Sequence, residues 1–155
     1  MTSPTILRNL VIVAFILNTT IITTTAANSL TTTTAVPDST IYRATYYDSQ
    51  TRIRLVINLY DETVNVPGYS FIGPTHGYMS GNLYGIWIVT SCRIHPNGSA
   101  TLHLTNDQGA DSQTIQLTPQ PPKNMMYEAV GGNEIKRVQG RKLVKIPARI
   151  NFTRQ

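Results

Sequence analysis

From Ile41 onward, apolar and polar side chains alternate along short runs that Gly, Pro, Asn and Asp interrupt. Successive side chains on a strand point to opposite faces, so such alternation means one buried face and one wet face. In RIRLVINLYD, residues Ile53, Leu55, Ile57 and Leu59 share a face, and Asp61 continues the phase. In YGIWIVTSCRI, the row through Ile86, Ile88, Thr90, Cys92 and Ile94 predicts Trp87 and Val89 on the opposite, outer face. An Asn-Gly turn in HPNGSA leads into TLHLT, with Leu102 and Leu104 together, and the pair reads as a hairpin. TIQLT is a further strand, stopped by PQPP, whose prolines donate nothing to a ladder. Beyond Gly131-Gly132, residues Val144, Ile146, Ala148, Ile150 and Phe152 keep the same period as one exit strand, on which Pro147 marks an edge or a bulge. No capped segment shows a helical period. The expected class is all-β, a barrel or a sandwich, and closure into a barrel removes exposed edges.

With 155 residues the chain suits one domain, once its start is set aside. Arg8 precedes an apolar run from Leu10 to Leu17, too short to span a bilayer, and the small residues Ala26 and Ala27 follow. Residues 1–27 therefore read as a secretory signal peptide, 28–40 as a flexible Thr-rich lead-in and 41–155 as the barrel. Secretion makes Asn97 and Asn151 glycan acceptors, because each begins an Asn-x-Ser/Thr sequon. The single Cys92 excludes an internal disulfide. The formal charge is +5, and Lys136, Arg137, Arg141, Lys142, Lys145, Arg149 and Arg154 concentrate it near the C-terminus. That gradient reads either as a solvated strand face or as a grip on acidic polysaccharide or another anionic surface. No nucleic-acid-binding module is visible.

His76, His95 and His103 are not at metal-ligand spacing, and no hydrolase elbow, dinucleotide fingerprint or redox centre is present, so neither metal nor cofactor is expected. What remains is acids and aromatics among apolar strands. Asp48 and Asp61 each close a strand pattern. Sharing a cavity, they would serve as catalytic proton donor and acceptor; otherwise each simply starts a turn.

SFIGPTHGYMSG, GIWIVTSCRIHPNGSATLHLT and MYEAVGGNEIKRVQGRKLV, in that order and spacing, resemble the plant dirigent family, and Asp61-Glu62-Thr63 is similar to that family's acidic motif. The likeness spans roughly residues 41 to 146. It implies a secreted, glycosylated, eight-stranded antiparallel barrel that assembles as a homotrimer. It further implies a protein of the apoplast that directs stereoselective coupling of phenolic radicals or quinone methides in lignan biosynthesis. The radicals come from an external laccase or peroxidase, and the chain itself carries no cofactor. Asp48 and Asp61 carry over as acid or base, whereas two family arginines fall at Pro74 and Gln139. Tyr46, Tyr78, Glu128, Lys136 and Gln139 are then the expected substrate contacts, with Trp87 a further candidate for ring stacking. The alternatives are a barrel that binds an apolar metabolite without chemistry, and a cell-wall adhesion protein.

Overall fold

The computed structural model describes residues 40–108 and 110–155; the expected leader and nearly all of the Thr-rich lead-in lie outside them. Ten strands occur in this range: β1 (Arg43–Asp48), β2 (Ile53–Asn58), β3 (Gly77–Gly81), β4 (Trp87–Ile94), β5 (Ala100–Asn106), β6 (Ser112–Gln120), β7 (Asn124–Gly132), β8 (Lys136–Gln139), β9 (Lys142–Lys145) and β10 (Arg149–Arg154). Eight of them close a barrel in the order β1-β10-β7-β6-β5-β4-β3-β2. All neighbours are antiparallel, and each strand pairs with the next until β10 returns to β1. The expected eight-stranded antiparallel barrel is the fold.

Period two explains most of the lining. Ile53, Leu55 and Ile57 of β2 face inward, as do Leu102 and Leu104 of β5, Ile115 and Leu117 of β6, and Ile150 and Phe152 of β10; all are buried. Tyr127 of β7 meets Phe152 edge to face, with ring centroids 6.2 Å apart. A small barrel filled this way is held by close packing, each large side chain contributing about 1.5–3 kcal/mol through removal from water.

Strand β4 departs from the predicted phase. Val89 pairs with Leu104 and Ser91 with His103, so Thr90 is an extra residue and the strand is bulged there. One inserted residue reverses the facing of everything before it. Trp87 and Val89 therefore lie inside the barrel, both 2% exposed, and Ile88 faces out. Their burial removes the apolar outer patch that an unbroken alternation would have left on β4.

The C-terminal third also differs. The single exit strand divides: Ile146–Ala148 is not strand, and β8 and β9 form a separate hairpin around a Gly140-Arg141 turn. Ile135 and Ile146, which flank this hairpin, are buried in the core and joined by an Ile146 N–H bond to the Ile135 carbonyl at 3.0 Å. Tyr84 N–H donates to the Lys136 carbonyl at 2.8 Å, tying the hairpin to the β3–β4 loop. Most of the expected basic exit strand is thus a ribbon beside the barrel mouth. Strand β6 runs on through Pro119 to Gln120, past the stop expected at PQPP.

Candidate functional site

Asp48 ends β1 and pairs with Ile53 across the β1–β2 turn, where its carboxylate accepts from Thr51 N–H at 2.8 Å and from the Thr51 hydroxyl at 2.5 Å. It caps a turn, as Asp does at strand ends. Asp61 lies beyond the other end of the same hairpin and pairs with Arg43 at 2.8 Å, both side chains more than half exposed. Strand β1 has six residues, so its ends are on the order of 17 Å apart. The two aspartates share no cavity, which withdraws the acid-base pair expected from them.

The other expected contacts scatter as well. Tyr46 is a core residue whose hydroxyl donates to the Ile41 carbonyl at 2.5 Å. Tyr78 sits on the outer face of β3, in register with Val56 and Ile88. Glu128 faces out from β7, where the Arg149 guanidinium donates to it at 2.6 and 3.0 Å. Lys136 and Gln139 are exposed on the ribbon. Asn97 and Asn151 are both exposed, and Asn97 Oδ1 accepts from Ser99 N–H at 3.1 Å in the β4–β5 turn.

The structure instead assembles a pocket at the barrel mouth, between the end of β7 and the returning chain at Ile146–Ala148. Its volume is about 370 Å³, and Gln113, Tyr127, Ala129, Ile135, Ile146 and Pro147 are among its lining residues. Three local features make it. A second bulge places Val130 outside the β6–β7 ladder, since Ile115 pairs with Ala129 and Thr114 with Gly131. Gly132, opposite Gln113, contributes no side chain. Ile135 and Ile146 hold the ribbon's base against the core.

Polar and apolar surface are mixed in this pocket. The buried Tyr127 hydroxyl donates to Gln113 Oε1 at 2.8 Å, and burial pushes its pKa up, so it stays a protonated donor. Gln113 is itself buried and lines the pocket beside Tyr127. At the open edge, Lys145 pairs with Glu134, both largely exposed. The pocket thus sets apolar side chains of Ala129, Ile135 and Ile146 beside the polar Gln113 and the Glu134–Lys145 pair. A second groove of about 340 Å³ runs outside the barrel between Ile72 and Pro74 of the β2–β3 loop and Ile88 of β4. Among the described residues no three His, Cys, Asp or Glu side chains converge as metal ligands would.

One acid that sequence reading missed organises the neighbouring loops. Asp107 accepts from Ile86 N–H at 2.8 Å, from Gln108 Nε2 at 3.0 Å and from the Tyr69 hydroxyl, fastening the tip of the long β2–β3 loop to the β5–β6 loop. Partial burial pushes its pKa up, but these donors outweigh that and hold it below the ordinary carboxylate value. A depressed carboxyl contributes stability that is complete above its unfolded pKa and lost as pH falls through the folded one. Asp107→Asn should therefore cost about 1–2 kcal/mol at pH 7. The gap from the wild type should stay constant above about pH 5 and narrow below about pH 4. Urea denaturation at a series of pH values measures this, and a gap that widens on acidification would reject it. No sequence pattern separates Asp107 from a turn-starting Asp, because its partners come from loops distant in the chain.

Comparison of the chain with family models, with curated proteins and with solved structures finds no match.

Proposed function

We propose that this barrel binds a small phenolic molecule at its mouth and, when that molecule is a radical made by a separate one-electron oxidant, orients it for coupling. The observation that carries the reading is the mouth pocket, in which Ala129, Ile135 and Ile146 stand beside the Tyr127–Gln113 pair. In this reading an aromatic ring lies against Ala129, Ile135 and Ile146, and its phenolic oxygen meets the Gln113 side chain. The pocket is open on one side, so one face of a bound ring meets the incoming partner while the other is shielded. Selection by orientation needs no proton shuttle, because radical coupling has a small intrinsic barrier and the site decides only which geometry reacts. That agrees with the separation of Asp48 from Asp61, and it follows the role that the dirigent resemblance implies.

The test combines calorimetry with product analysis. Coniferyl alcohol and related phenols should bind the wild type, and Ala129→Phe, which fills the pocket, should weaken binding about tenfold or more, or 1.4 kcal/mol. With an added laccase, chiral chromatography should show one enantiomer enriched by the wild type and a racemate with Ala129→Phe. Absence of binding across a phenol panel, or unchanged affinity in the variant, would overturn the reading. Binding with racemic products from the wild type would reduce it to a metabolite-binding barrel.

A further inference from the structure

The β8–β9 ribbon carries features that the mouth pocket does not use. Direct cross-strand pairs share a face, so Lys136, Lys145, Val138 and Leu143 lie on one side, and Arg137, Val144, Gln139 and Lys142 on the other. Val138 and Leu143 stand opposite each other and are 51% and 48% exposed. Lys136 stands opposite Lys145, a like-charged pairing that weakens a sheet. Glu134 is paired with Lys145; among the described residues no carboxylate pairs with Lys136, Arg137, Arg141 or Lys142. A ribbon of two short strands is marginal by itself. This one is held by its buried base, and it presents Val138 and Leu143 beside Lys136 on one face, with Lys142 and the partly buried Arg137 on the other and Arg141 in the turn.

From these side chains we infer that the β8–β9 ribbon docks on a bilayer surface bearing anionic headgroups. The cations are complementary to the headgroup layer, and Val138 and Leu143 enter the boundary below it, the division of labour found in interfacial amphipathic elements. A soluble acidic polymer would engage the same cations but gives Val138 and Leu143 nothing to enter, and the ribbon has no aromatic ring to stack on a sugar.

Sedimentation with vesicles tests the assignment, using phosphatidylcholine alone and phosphatidylcholine with about one third phosphatidylglycerol. The protein should bind the anionic vesicles, not the neutral ones, and lose binding as salt is raised. Each cation near an anionic surface is worth about a fivefold change in partitioning, so replacing Lys136, on the face of the apolar pair, and Arg141, in the turn, by Gln should lower it about twenty-fivefold. The double variant Val138→Ser/Leu143→Ser keeps the charge and should bind the same vesicles about tenfold more weakly. Its retention on a polygalacturonate column should be unchanged. Two results overturn the inference: no binding of the wild type to anionic vesicles at low salt, or equal binding by the wild type and the double serine variant. Retention on polygalacturonate in either case reassigns the ribbon to an acidic polysaccharide. Both faces of the ribbon are largely exposed, so circular dichroism should show the variants' barrels intact.

Discussion

Trp87→Ala should lower folding stability by about 3–5 kcal/mol, the range for deleting a large aromatic from a packed core. Trp87 is 2% exposed and lies inside the barrel because Thr90 is an extra residue in β4. Were β4 to keep a continuous alternation, Trp87 would face outward and the same substitution would cost within about 0.5 kcal/mol. Trp87→Phe separates volume from polarity. The indole N–H is buried with no hydrogen-bond partner, so phenylalanine removes an unsatisfied donor while keeping most of the apolar contact. It should recover more than half of the loss in the alanine variant. Urea denaturation followed by circular dichroism measures both, and the wild-type emission should be blue-shifted and poorly quenched by acrylamide. A Trp87→Ala loss below about 1 kcal/mol would place the ring outside and refute the bulge.

The glycine pair at the mouth should give the sharpest contrast between adjacent positions. Gly132 has φ +86°, and a Cβ built there would lie 2.4 Å from the Ser112 carbonyl oxygen and 2.9 Å from Gln113 Cα. Both neighbours are backbone atoms of the paired strand, so neither can step aside as a side chain would. The left-handed backbone costs about 1–2 kcal/mol for a residue with a Cβ, and the displaced ladder adds a comparable amount. Gly132→Ala should therefore lose about 3 kcal/mol and reshape the pocket over Gln113. Gly131→Ala, with nothing within 4 Å of its Cβ, should stay within about 0.5 kcal/mol of the wild type. Equal losses at the two positions would contradict the geometry.

The contrast shows which kind of information alternation holds. Ile53, Leu55 and Ile57 could be assigned to the interior because one face of β2 is apolar and the other carries Arg54. The segment Ile86–Val89 is apolar at every position, so the phase of Cys92 and Ile94 extends backward in sequence through a bulge that no residue type announces. The same limit merged the ribbon with β10. Val144, Ile146 and Ile150 keep one phase in sequence, yet only Ile146 and Ile150 are buried, because the strand breaks around Pro147. Asp48 and Asp61 were legible as strand-ending acids. Their placement at opposite ends of one hairpin follows from the antiparallel pairing of β1 with β2, and alternation alone does not fix which loops lie at the same end. The Tyr127–Gln113 pair gave no signal because it joins inward positions on two strands, and an inward Gln looks like a phase error until its partner is known.

The seam where the barrel closes governs the order in which the protein can be made. Every other junction in the barrel joins strands that follow each other directly, apart from the ribbon between β7 and β10, and can zip as they emerge from the ribosome. The β1–β10 seam is different: Tyr46 pairs with Arg154, Tyr47 with Thr153, and Gln155 N–H donates to the Thr45 carbonyl at 2.9 Å. Until those residues arrive, β1 and β7 remain open edges that any extended chain can extend. The first strand must wait for the last before the barrel can close.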